Sequence, residues 1–256
     1  MTNINDEYIL ETFFVNVPDL GYSKKIYACM PKTSKECPVL YMHDGHNLFL
    51  PEDSFNGSTW QAKSALNELY NNTGKHLAII GIGADHRRFD EYSPWQGCLE
   101  FEKNGGLGDI YLEWIIKELI PLIRQKYNFG TRYFMAGSSM GGYISMYAGY
   151  KYRNMFEKVG LFSPAFWFNF QKMETFVKNN FDPNLGMYLD VGKKETSDVN
   201  RTDFPDIYLS DARKFHNLLN VLGIKNIKYL EDEEGQHSEK DWAKRFPGFL
   251  NWLLRP

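Results

Sequence analysis

Residues 132–152 read "RYFMAGSSMGGYISMYAGYKY". A short apolar run meets two serines set between glycines, and a small-residue run follows. Glycine and small residues at that density mark a tight turn. Within it, Gly137-Ser138-Ser139-Met140-Gly141 fits Gly-x-Ser-x-Gly. A strand is predicted before it, over 132–137, and a helix after it. That context is what separates a displayed nucleophile from a plain connection. Such a turn holds its serine in a strained backbone conformation with the hydroxyl exposed. The glycines let strand and helix pack closely, and the helix N-terminus offers free N–H groups to developing negative charge. Ser139 takes the nucleophile position and Ser138 the variable one.

The same alternation extends along the chain. Residues 8–17 and 25–30 are predicted strands joined by a hairpin-like connection at Pro18 and Gly21. The continuous apolar runs at 38–45 and 76–84 suit strands buried on both faces, as in a parallel sheet. Further strands are predicted at 158–163, 186–192 and 227–235, and helices at 60–70, 205–222 and 238–254. Apolar residues recur at helical spacing from Leu107 to Tyr127, with Pro121 expected to kink or split that helix. The segment 85–106 has no clear periodicity, and long loops of this kind are often functional. There is no internal repeat, low-complexity segment or Pro/Gly/Ser-rich linker. The order predicts an α/β protein: a mostly parallel central sheet with an antiparallel N-terminal start and helices on both faces.

The chain has 256 residues, 43% of them apolar and 24% charged, with a formal net charge of −3. These values fit a soluble globular protein with ample material for a core. They give no general attraction to nucleic acid or to anionic membranes. The 16% of aromatic residues fill a bulky core or line a pocket. Cys29, Cys37 and Cys98 are odd in number and lack metal or redox spacing, so free thiols are expected. Neither a signal peptide nor a membrane-spanning run is visible, and a cytoplasmic location follows as the expectation. A homo-oligomer is left open.

Serine needs a base, and the base an orienting acid. In folds of this kind the chain order is Ser, acid, His. His216 and His237 are the histidines downstream of the later strands. His216 falls inside a predicted helix. His237 follows a strand and the acidic turn "EDEEGQH" just before the last helix, at a sheet edge where sites gather. It is taken as the base. For the acid, Glu195 lies three residues past Gly192, with Asp198 and Asp190 as alternatives. Oxyanion donors are expected from the backbone N–H of Met140 and, in the loop after the third strand, of His46.

Four stretches, "VLYMHDGHNLF", "GSSMGGYISMYAGYKYRNMFEKVGLFSPAFW", "YLDVGKKE" and "GQHSEKDWAKRFPGFLNWL", carry a resemblance to the Putative esterase family of α/β-hydrolases. That family resembles esterase D, feruloyl esterases, enterochelin-type esterases and mycolyltransferases. The likeness runs from about residue 10 to the C-terminus and implies one α/β-hydrolase domain over 1–256. By position it implies Ser139, Glu195 and His237 as a triad, with Met140 and His46 as backbone donors. This sequence has Glu where many relatives have Asp. Arg88, Glu91 and Tyr92 are candidates to line a substrate pocket or to brace their loop. Trp60 and Trp167 are candidates for an aromatic wall or for core packing. A metal site on His43, Asp44, His46, Asp85 and His86 lacks a helical His-x-x-x-His pattern and is set aside, and no cofactor is expected. The expectation is a serine carboxylester hydrolase acting on a small-molecule ester through an acyl-enzyme. Acyl transfer to an alcohol or sugar uses the same residues, and an inactive hydrolase fold used for binding is the remaining alternative.

Overall fold

A computed structural model describes residues 6–33, 35–98, 101–198 and 200–255. In chain order its strands are β1 Tyr8–Val17, β2 Tyr22–Pro31, β3 Val39–Met42, β4 Ala78–Ile82, β5 Tyr133–Ser138, β6 Lys158–Phe162, β7 Gly186–Lys194 and β8 Ile227–Gln236. Its helices are α1 Ala62–Thr73, α2 Arg88–Glu91, α3 Gly108–Trp114, α4 Ile120–Lys126, α5 Met140–Lys151, α6 Phe170–Asn180, α7 Phe204–Leu222 and α8 Glu239–Leu253. The chain is α/β, as its alternating pattern predicts. It divides into two compact units: Met1–Ala84 with Ile115–Phe134 and Glu239–Pro256, and Asp85–Trp114 with Met135–Ser238.

In the first unit the strands neighbour one another in the order β1-β2-β4-β3. β1 and β2 form an antiparallel ladder in unbroken register from Tyr8↔Pro31 to Val17↔Tyr22. The turn between them works because Gly21 takes φ 74°, a left-handed conformation that costs glycine little. β2 also runs antiparallel to β4, and β3 is parallel to β4. Every residue of β3 and β4 is buried, as a strand covered on both faces must be. α8 closes this unit: Trp60 lies 5.5 Å from Trp242 and 5.4 Å from Phe246, ring centre to ring centre. Glu239 accepts from the side-chain amides of Asn47 and Asn56.

In the second unit the order is β5-β6-β7-β8. β6–β7 and β7–β8 are parallel, with a register shift between Gly192 and Lys194. α5 is buried along Met140–Tyr150, so its apolar residues need no single face. At Gly149 a Cβ would lie 2.8 Å from the Leu185 side chain and 3.0 Å from that of Val159, so glycine lets these neighbours pack close to the helix. α7 packs Phe204, Tyr208 and Ala212 against Val191 of β7, with Trp167 alongside.

Three features differ from the sequence reading. The helical run from Gly108 to Lys126 is not broken at Pro121; Ile115–Leu119 widens into a π turn just before it. Proline has no N–H to donate and its ring crowds the carbonyl four residues back, and a wider turn relieves both. α6 has no counterpart in the sequence reading, nor does the single turn of α2 inside the segment 85–106, of which Leu99 and Glu100 lie outside the described residues. The acidic stretch before His237 is strand rather than turn, since β8 continues to Gln236. No helix among the described residues is long and apolar enough to cross a membrane.

Candidate active site

The candidate site is built in the second unit, from the β5–α5 connection. Ser139 has φ 56° and ψ −122°. This left-handed region is costly for any residue with a Cβ, and such strain gathers at functional sites. The surrounding packing imposes it. The Ser139 N–H donates to Phe162 O at 2.9 Å, and its carbonyl accepts from Ala165 N and Tyr143 N, each at 3.0 Å. Gly137 has no room for a side chain, since a Cβ would sit 2.7 Å from the Gly141 carbonyl carbon. Met140 is the first residue of α5, so its N–H has no acceptor within the helix and points where an anion is favoured.

Glu195 follows β7 and His237 follows β8. Glu195 Oε2 lies 2.7 Å from His237 Nδ1. The carboxylate is fully buried, while the imidazole retains 12% exposure. Its other oxygen, Oε1, accepts from the Gly192 N–H at 2.7 Å and the Ser163 hydroxyl at 2.5 Å. A buried charge without partners would be expensive, and three donors answer that cost. A carboxylate only accepts, so Nδ1 carries the proton and Nε2 keeps its lone pair. Asp198, in contrast, is exposed and binds the backbone N–H of Asn200. Asp190 is buried within β7.

Ser163 and Gly192 support this arrangement, and the sequence reading missed both. Ser163 is buried at φ 44°, and its N–H donates to Asp190 O at 2.9 Å. It lies in the "GLFSPAFW" end of a stretch that carries the family resemblance. At Gly192 a Cβ would lie 2.2 Å from Gly235 O and 2.8 Å from Glu195 Oε1. Tyr208, on α7, was also missed. Its ring lies 4.9 Å from the His237 ring, and its hydroxyl is 2.5 Å from Ser197 Oγ. Burial pushes its phenol up to about 12, while the hydrogen bond with Ser197 acts in the opposite direction.

The other candidates divide. Trp167 is half-buried and stands 6.3 Å from Tyr208 and 5.2 Å from Phe101, which in turn lies 5.3 Å from Phe89. An aromatic run therefore leads from α2 to His237. Arg88 lies over Tyr92, 5.1 Å from its ring centre, and Tyr92 is fully buried against Tyr111. Glu91 is buried beside them. Trp60 is 2% exposed and packs on α8 in the first unit. His46 lies in the Gly45–Asn47 turn after β3, also in the first unit, where its Nδ1 accepts from the Ala84 N–H at 3.4 Å. His216 stacks on Tyr229 at 4.2 Å.

The family model described as "Putative esterase" matches residues 19–253. Uncharacterized protein YbbA of Bacillus subtilis (strain 168) is 30% identical over 226 residues, covering 84% of this chain and 85% of that protein. The BES protein from Bacillus cereus has a similar structure, with a TM-score of 0.76 at 18% identity over 96% of this chain and 95% of its own. So does the siderophore hydrolase EstA from Aspergillus nidulans, with a TM-score of 0.73 at 16% identity over 98% and 96%. The α/β architecture and a match across nearly the whole chain carry one conclusion: the protein belongs to the Putative esterase family and is a carboxylic ester hydrolase.

Proposed function

We propose that the protein cleaves its ester by nucleophilic catalysis with Ser139, His237 and Glu195. The observation that carries this reading is the 2.7 Å pairing of His237 Nδ1 with a buried Glu195, in the unit that strains Ser139 at the head of α5. Ser139 Oγ attacks the ester carbonyl while His237 Nε2 takes its proton. The resulting imidazolium faces the Glu195 carboxylate. The tetrahedral oxyanion is met by the Met140 N–H, strengthened by the positive end of the α5 dipole. His237 then gives its proton to the leaving alcohol, and an acyl-enzyme remains. Water, deprotonated by the same imidazole, attacks the acyl carbon, and collapse returns Ser139 with a carboxylic acid as product.

Ser139→Ala is the direct test. It should abolish hydrolysis of short p-nitrophenyl esters, by about a millionfold in kcat as for a removed nucleophile, with the fold intact by circular dichroism. Turnover at the parent rate would refute the mechanism. The substrate is sought by comparing acetyl, butyryl, feruloyl and siderophore-type catechol esters, the last because a structural neighbour is a siderophore hydrolase.

A further inference from the structure

The turn after β6 ties the candidate nucleophile to the candidate acid. Phe162 O, at the end of β6, accepts from the Ser139 N–H at 2.9 Å, and the Ala165 N–H donates to Ser139 O at 3.0 Å. Between them, the Ser163 N–H donates to Asp190 O of β7 at 2.9 Å. The Ser163 hydroxyl donates to Glu195 Oε1 at 2.5 Å. Ser163 is wholly buried and takes φ 44°, a left-handed conformation that costs any residue with a Cβ.

A glutamate does not orient its own carboxylate. Its last torsion joins an sp3 carbon to an sp2 carbon and has no sharp minimum. Which oxygen meets the imidazole, and at what angle, is therefore set by outside donors. The Gly192 N–H and the Ser163 hydroxyl both hold Oε1, and Oε2 is left to His237 Nδ1 at 2.7 Å. The two donors differ in origin. Gly192 lies three residues before Glu195 in β7 and moves with it. Ser163 lies in the turn that also holds the Ser139 backbone, so it refers the carboxylate to the nucleophile. We infer that Ser163 is a positioning residue, whose hydroxyl fixes the rotation of the Glu195 carboxylate and, through it, the His237 ring relative to Ser139. This rests on the triad reading given above. The Ser163 proton stays on its own oxygen, since a carboxylate only accepts.

Two variants test this. Ser163→Ala removes the hydroxyl and keeps the Cβ. Ser163→Gly removes the hydroxyl and also relaxes the backbone, so it will fold even where Ser163→Ala does not. In both, kcat for a short p-nitrophenyl ester should fall about tenfold with KM little altered. Labelling of the full-length protein by a small alkyl fluorophosphonate should slow by the same factor, the rate equivalent of one lost hydrogen bond to a charged group. Melting temperature should separate the variants, glycine above alanine, while the rates do not. A merely structural role would make rate follow stability, and the parent rate in Ser163→Gly would overturn the inference. With the carboxylate gone, Ser163 has nothing to position. Ser163→Gly added to Glu195→Ala should then label no more slowly than Glu195→Ala alone. A further tenfold loss there would overturn the inference and leave the triad standing. Labelling at the parent rate in Glu195→Ala, or labelling that persists in Ser139→Ala, would overturn the triad and this inference together.

Discussion

Two turns in this protein begin alike and end differently. After β3, Asp44 sits at φ 54°; after β5, Ser139 sits at φ 56°. Each follows a fully buried strand and leads into helical backbone, and each depends on glycine. Gly45 presses on β4, where a Cβ would lie 2.5 Å from the Gly81 carbonyl carbon, and Gly137 meets Gly141 just as closely. The first turn runs into the three residues Gly45–Asn47, the second into the twelve of α5. A single turn sums little dipole, whereas three turns present a substantial positive end. Backbone strain is thus common to both, and it does not by itself mark chemistry. The second unit adds to its strained residue a long helix and a histidine paired with a buried carboxylate.

Substitutions can break this comparison. The largest expected effect after that of Ser139→Ala is Glu195→Gln. An amide must turn its NH2 either to the His237 Nδ1–H or to the two donors on Oε1, so it cannot satisfy all three. We expect kcat to fall roughly ten-thousandfold, less than for Ser139→Ala, as for a triad left in the wrong tautomer. An unchanged kcat would move the acid elsewhere. Next is Gly45→Ala. Its clash is with backbone, which yields poorly, and a loss of about 3 kcal/mol in denaturant unfolding is expected. Ser139→Gly tests the shared strain. Glycine accepts φ 56° freely, so the variant should be inactive yet about 1 kcal/mol more stable. A destabilised Ser139→Gly would show that the hydroxyl's contacts outweigh the backbone cost.

The smallest effect sharpens the comparison with a region governed by charge instead of strain. Arg213 holds Glu231 in a double hydrogen bond, 2.7 Å on each arm, and with Tyr229 lowers its carboxyl from 4.5 to about 2. A carboxylate with a depressed folded pKa adds stability that is full above the unfolded value. That contribution is lost as pH falls from about 4.5 toward 2. Glu231→Gln should therefore cost a little stability at pH 7 and nothing at pH 2, read as a flatter acid limb in urea midpoints. The pair is partly exposed, which keeps the effect small.

Much of this was legible before any coordinates. All eight strands have a counterpart in the sequence reading, most plainly the fully buried β3, β4, β5 and β6, which are continuous apolar runs. The Gly-x-Ser-x-Gly turn names Ser139 by its context alone. Choosing among Glu195, Asp198 and Asp190 needed more than spacing, since three carboxylates within nine residues all sit near the end of one strand. What pairs Glu195 with His237 is burial and the donors of Gly192 and Ser163, which depend on the register of β7 with β8 and on the turn after β6. A one-dimensional pattern carries neither. α6 did carry a signal: Phe170, Met173 and Val177 recur at helical spacing, and Asn169 caps the helix by accepting from Lys172 N. Tyr208 looked like any aromatic on a helix, because its neighbours at Ser197 and the His237 ring lie on other segments.

The way α8 completes the first unit bears on how the molecule comes into being. Asn47 and Glu239 are 192 positions apart in the chain, and Trp60 waits for Trp242 and Phe246 to cover it. On a ribosome the β1–β4 portion emerges early, with its apolar side still open to water. It gains its closing helix only after residues 83–238 have been made. Contacts of such long range are slow to form, and a nascent chain in that interval is the form most exposed to aggregation and most in need of a chaperone.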